Sequence, residues 1–145
     1  MVRVLIAEDH SGVREKITAI LNAEFSVVVA VADGQAMLDA ESETEPDIVV
    51  LDISMPGMNG FEAARRLTHR GSRAGIVFLT AHEDPAFLEA AIAAGAMGYV
   101  VKSRMASDLR TAVREAACGR AFVSPSARLA DSPLLASFRQ FQKQT

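Results

Sequence analysis

Cysteine is almost missing: Cys118 stands alone among 145 residues. No disulfide can form within the chain, so any fold must rest on its apolar core. Lying near a helix end, this lone thiol is assigned no role. No apolar stretch approaches the roughly 20 residues of a membrane-spanning helix, and the run Val2–Ala7 is too short for a signal-peptide core. A cytoplasmic protein with no membrane partner is expected. Charge of one sign is lacking too. With 15 Lys and Arg against 18 Asp and Glu, the formal net charge is −3, too small for a global attraction to nucleic acid or anionic lipid. Internal repeats and low-complexity stretches are also absent. What is present is an ordinary globular composition, 50% apolar and 23% charged, in a length that suits one domain of roughly 100–150 residues with a short appendage.

Short β-branched runs occur at residues 2–7, 27–31, 48–51, 76–79 and 99–101, each followed by a longer segment with apolar residues at helical spacing. Val13, Ile17, Ile20 and Leu21 form one helical stripe, and Phe61, Ala64 and Leu67 another. Leu88, Ala91 and Ile92 mark a fourth helix, and Leu109, Val113 and Ala116 a fifth that ends at Gly119. The runs 48–51 and 76–79 do not alternate with polar residues, which predicts strands buried on both faces of a parallel sheet. Helices must then cover both faces. Right-handed crossovers and about five strands favour an α/β, flavodoxin-like, doubly wound parallel sheet of order 2-1-3-4-5 over a barrel, which needs about 250 residues.

In such a sheet ligands bind beyond the carboxyl ends of the strands. The first strand closes in Glu8-Asp9, the third in Asp52, the fourth in Thr80 and the fifth in Lys102. Each residue alone would pass for an ordinary polar loop group; together they form a set. Carboxylates gathered at one sheet edge repel one another unless a cation stands among them. Mg2+ suits that position, because it prefers oxygen, takes one or two carboxylates and keeps places for water and a phosphoryl oxygen. Asp9 and Asp52, supported by Glu8, are the candidate ligands. Asp52 is a competent nucleophile for an acyl phosphate. Lys102 and Thr80 would supply charge and a hydroxyl where the transferred group carries negative charge.

The stretches Ala7-Glu8-Asp9-His10, Leu51-Asp52-Ile53-Ser54-Met55-Pro56-Gly57-Met58-Asn59-Gly60, Leu79-Thr80-Ala81-His82 and Gly98-Tyr99-Val100-Val101-Lys102 resemble the motifs of response-regulator receiver domains of two-component systems. The similarity runs from about Val2 to about Pro125. It is greatest to the NarL/FixJ branch, through Asp9-His10 followed by Arg14, the Met-Pro-Gly-Met-Asn-Gly loop, and Gly119-Arg120-Ala121-Phe122-Val123-Ser124-Pro125. The resemblance implies that Asp52 accepts a phosphoryl group from a phosphohistidine on a sensor kinase or phosphotransfer protein. It further implies that Glu8 and Asp9 hold Mg2+ with Asp52, and that the backbone carbonyl of Ser54 completes that site. Lys102 would pair with the phosphoryl oxygens, and Thr80 with Tyr99 would form the switch pair. Such a chain is not a metabolic enzyme but catalyses its own Mg2+-dependent phosphorylation and dephosphorylation. A phosphorylation-dependent homodimer or a downstream protein partner is the expected output.

Ser103 stands where many receivers have proline, so a trans peptide is expected after Lys102. His10 and His82 are not expected as ligands, since hard Mg2+ prefers oxygen; His82 is read as tuning water access to the phosphorylated Asp52. Met55 and Met58 are read as loop packing groups. A flavin site is disfavoured because Glu8-Asp9 would repel a phosphate in the absence of metal, and an aspartyl-phosphate phosphatase because Ser54 stands at the second acid of the Asp-x-Asp pattern, leaving no acid for leaving-group protonation. The receiver is assigned to residues 1–121 and a C-terminal extension to 122–145, with a helix expected from Ser132-Pro133 and no complete helix-turn-helix domain in the 20 residues after Pro125. No DNA binding by this chain is expected. The alternative is the receiver part of a longer DNA-binding transcriptional regulator.

Overall fold

A computed structural model of the chain describes residues 1–125. Strands and helices alternate: β1 Arg3–Ala7, α1 Ser11–Asn22, β2 Ser26–Val31, α2 Gly34–Thr44, β3 Ile48–Asp52, α3 Gly60–His69, β4 Gly75–Thr80, α4 Pro85–Ala93, β5 Ala96–Val101, a 3-10 turn Lys102–Arg104, α5 Met105–Ala117 and β6 Phe122–Val123. All neighbouring strands pair in parallel, in the order β2-β1-β3-β4-β5-β6.

Period-two alternation along the strands sorts side chains onto two cores. Leu5, Val49, Leu51 and Phe78 face one way, packing with Met37, Ala63, Leu67 and Leu88 of α2, α3 and α4. Val4, Ile6, Val50, Val77, Leu79 and Val100 face the other way and meet Ile17 and Leu21 of α1 and Leu109, Ala112 and Val113 of α5. This is the doubly wound arrangement expected from the apolar runs, and β3 is buried along its whole length. Side-chain caps start four of the helices: His10, Asp33, Asn59 and Asp84 accept from the backbone N–H groups of Val13, Ala36, Glu62 and Ala86. Pro85 follows directly in the first turn of α4, where its missing N–H costs nothing.

The sheet has six strands where the sequence predicts five. Phe122 and Val123, assigned above to the extension, pair with Gly98 and Tyr99 of β5. A two-residue strand carries no periodicity to read, and it forms because it covers the open edge of β5. The helix expected from Ser132-Pro133 lies outside the described residues. Among those residues there are no cis peptides, in line with the expectation at Lys102-Ser103, and no helix is long and apolar enough to cross a membrane.

Candidate phosphoacceptor site

Strand register assembles the site. Ala7 pairs with Leu51, Asp52 with Leu79 and Thr80 with Val101, so the residues that close β1, β3, β4 and β5 share one sheet edge. The loop after β3 returns close to that edge. Gly57 adopts a φ of 77°, and a Cβ on Gly60 would lie 2.4 Å from the Asp52 carbonyl oxygen. Only glycine lets α3 begin this close to the end of β3. Met55 is buried in the core, and Met58 packs against it.

Glu8 and Asp52 are buried, whereas Asp9 is exposed. One ligand atom from each of the three lies within 4.8 Å of the others. The Lys102 ammonium stands 3.1 Å from Glu8 Oε1 and 3.4 Å from Asp52 Oδ1, and the Ser54 N–H donates to Asp52 Oδ1 at 3.2 Å. The second oxygens, Glu8 Oε2 and Asp52 Oδ2, are buried with no protein hydrogen-bond partner. Two buried carboxylates thus share one ammonium, with the exposed Asp9 beside them. Burial and the close approach of the Glu8 carboxylate push the Asp52 pKa up to about 8, against the pull of Lys102 and the Ser54 N–H. Lys102 is itself desolvated, but Asp52 and Glu8 outweigh that effect and raise its pKa, keeping it charged. Two buried acceptors without a donor between them require a proton or a cation. An all-oxygen donor set fits a hard divalent ion such as Mg2+.

Thr80 is buried, and its Oγ1 accepts the His82 N–H at 3.0 Å. Tyr99 is also buried and donates its hydroxyl to the His82 carbonyl at 2.8 Å. Burial and the nearby acids Asp84 and Glu83 push the phenol up to about 12, with the Thr80 hydroxyl opposing. Both switch candidates are thus buried and meet on the backbone of His82.

Sequence reasoning underrated two residues. His82 Nε2 lies 3.4 Å from Ser54 Oγ, and the His82 ring stacks on Phe87 of α4 with centroids 4.0 Å apart and planes at 5°. It therefore touches the loop after β3, Thr80, Tyr99 and α4 at once. Arg14 donates from Nη1 to the Glu8 carbonyl at 2.8 Å and so holds the loop after β1. The bare spacing of His82 two residues after Thr80 was the only available signal for the first. His10 caps α1 and is not part of the acidic cluster.

Residues 4–114 match the family described as response regulator receiver domain. The response regulator GacA of Pseudomonas aeruginosa is 35% identical over 144 residues, covering 98% of this chain and 66% of that protein. DegU, a transcriptional regulatory protein of Brevibacillus brevis, is 33% identical and covers 86% of this chain and 53% of its own length. The chain thus spans about half to two thirds of the length of these curated relatives. Among solved structures, a LuxR-family two-component response regulator from Aurantimonas is similar with a TM-score of 0.84 and 31% identity, over 100% of this chain and 99% of that one.

Proposed function

The chain belongs to the response-regulator receiver family of two-component signalling, and from that premise we propose that Asp52 is its phosphoacceptor. The observation that carries this reading is the pair of buried, unpartnered carboxylate oxygens on Glu8 and Asp52 beside the Lys102 ammonium. Such a costly arrangement is retained only where an incoming group completes it.

An Asp52 carboxylate oxygen attacks the phosphorus of a phosphohistidine on a sensor kinase or phosphotransfer protein. A P–O bond forms, the P–N bond breaks, and the histidine nitrogen leaves with the electron pair and takes up a proton. Phosphoryl transfer asks mainly for alignment and charge neutralisation. The Ser54 N–H orients Asp52, and Lys102 meets the phosphoryl oxygens. The Thr80 hydroxyl, one strand away, exchanges its His82 contact for the phosphoryl group. Glu8, Asp9, Asp52 and the Ser54 carbonyl are the residues that would hold Mg2+. An ion held there would neutralise carboxylate and phosphoryl charge and favour Asp52 as the carboxylate. In dephosphorylation a water molecule attacks the phosphorus, the bond from phosphorus to Asp52 breaks, and inorganic phosphate leaves with Asp52 restored as a carboxylate; the chain has no metabolic substrate.

Thr80 and Tyr99 form the switch pair on this reading. A dianion at Asp52 shifts a two-state equilibrium that changes an association surface on α4, β5 and α5, for a second copy or a downstream protein. The protein acts in the cytoplasm. The acceptor domain takes in residues 1–121 and the β6 strand Phe122–Val123, with the rest of the chain as its extension, and no sequence-selective DNA retardation is expected of this chain. A second reading, service as the receiver of a DNA-binding transcriptional regulator, is favoured by the naming of relatives such as DegU as transcriptional regulatory proteins. The decisive experiment is incubation with acetyl phosphate and Mg2+. One phosphoryl mass should appear on the parent and none on Asp52→Asn; labelling of the variant at the parental rate would refute the assignment.

A further inference from the structure

The phosphoryl chemistry leaves unused a buried polar network at the β5–β6 edge of the sheet. Ser124 is fully buried. Its hydroxyl donates to Asp108 Oδ2 at 2.8 Å and accepts the Val101 N–H at 3.2 Å, while its own N–H donates to the Tyr99 carbonyl at 2.9 Å. Because β6 ends at Val123, no strand carbonyl reaches Val101, and the hydroxyl stands in for it. Asp108, buried in the first turn of α5, also accepts Arg104 Nε at 2.9 Å, Arg104 Nη2 at 3.3 Å and Ser107 Oγ at 3.2 Å.

These bonds bracket Lys102. The residue before it is held by Ser124, and the turn that it opens ends at Arg104, held by Asp108. The Ser124–Asp108 bond joins the two grips. A lysine side chain is long and flexible, so where its ammonium stands depends on how firmly its backbone is fixed. Misplacement by about 1 Å can cost a hundredfold in rate.

We propose that Asp108 and Ser124 are positioning residues for Lys102, and that this clasp couples the occupancy of the Asp52 site to β6 and the chain leaving Pro125. The proposal rests on the phosphoacceptor reading. Coupling between sites is reciprocal. A phosphoryl group that engages Lys102 tightens the grip of Ser124 on β5, and loosening Ser124 degrades the placement of Lys102. The Tyr99 carbonyl bond brings the proposed switch residue under the same grip.

The test uses the full chain with Ser124→Ala and, as a milder second variant, Asp108→Asn, which keeps an acceptor oxygen. Phosphorylation by acetyl phosphate with Mg2+ is followed by mass spectrometry, and the saturating rate constant is normalised to folded protein. It should fall about fivefold or more in Ser124→Ala and by less in Asp108→Asn. Hydrogen exchange of residues 121–125 is read with and without beryllofluoride. Beryllofluoride should slow exchange there in the parent and leave Ser124→Ala unchanged, even though that variant still becomes fully labelled in time. A merely structural clasp would lower stability but leave the rate per folded molecule and the beryllofluoride effect as in the parent; that result overturns the proposal. A parent that takes up phosphate normally but shows no beryllofluoride effect on residues 121–125 overturns the coupling. A parent that takes up none removes the phosphoacceptor reading, and the proposal with it.

Discussion

Two buried acidic groups in this fold are held in opposite ways. At the carboxyl edge of the sheet, Glu8 and Asp52 share one ammonium, and each keeps an oxygen without a protein partner. At the β5–β6 edge, Asp108 accepts from Arg104, Ser107 and Ser124. Desolvation pushes both Asp52 and Asp108 up. At Asp52 the Glu8 carboxylate adds to that push, and the result is about 8. At Asp108 the hydrogen bonds from Arg104, Ser124 and Ser107 prevail, and the carboxyl ends below its ordinary value. Burial alone therefore does not mark a functional acid. An unmet demand for positive charge marks the acids poised for an incoming group, whereas the satisfied cluster acts through the backbone that it holds.

Removing the satisfied group should have the largest effect on stability. Asp108→Ala leaves the Ser124 hydroxyl and the Arg104 guanidinium without their acceptor, and a cost of about 2–3 kcal/mol is expected from urea unfolding. A loss under about 0.5 kcal/mol would erase the contrast between the two sites.

The unsatisfied site should respond in the opposite sense. In chelator, Asp52→Asn removes a charge-repelling acid and should raise stability by about 1 kcal/mol. Excess Mg2+ should stabilise the parent and leave the variant nearly unchanged, by mass action on the folded state. The pH response should have opposite signs at the two acids. Because the folded-state value of Asp52 lies above that of the unfolded chain, its contribution is fully present below about 4 and is lost as pH rises through about 8. Asp108 has a lowered value, so its contribution is present above about 4 and is lost as pH falls below that. Urea midpoints in chelator between pH 5 and 8 should therefore decline with pH in the parent and stay flatter in Asp52→Asn. A rising parental curve would contradict the electrostatics described here.

An exposed pair gives the smallest effect. Arg66 and Glu62 meet at 2.9 Å on the outer face of α3, with about half of each side chain in water. Arg66→Ala should cost less than about 0.5 kcal/mol, measurable as a small midpoint shift that disappears at high salt.

The sequence disclosed some of this with little help. The non-alternating runs 48–51 and 76–79 announced a sheet covered on both faces, because a strand with two apolar faces can be buried in no other way. The acids at the ends of β1 and β3 and the lysine after β5 could be placed at one edge because parallel strands bring their carboxyl ends together. His82 was harder to read. Its ring contacts with Ser54 and Phe87 depend on the approach of α4 and the acceptor loop, which no local pattern encodes. Asp108 looked like any acid in the first turn of a helix, and Ser124 like a residue in a closing loop.

Which residues can bear charge, bend the chain or line a strand is settled by their chemistry and order, so the sequence by itself determined the doubly wound sheet and the candidates Glu8, Asp9, Asp52, Thr80, Tyr99 and Lys102. Tertiary structure alone decided which acids are satisfied. Whether a buried oxygen finds a donor depends on distances of about 3 Å between groups far apart in the chain, such as Lys102 and Glu8 at 3.1 Å or Ser124 and Asp108 at 2.8 Å, and those distances exist only once the two cores have packed.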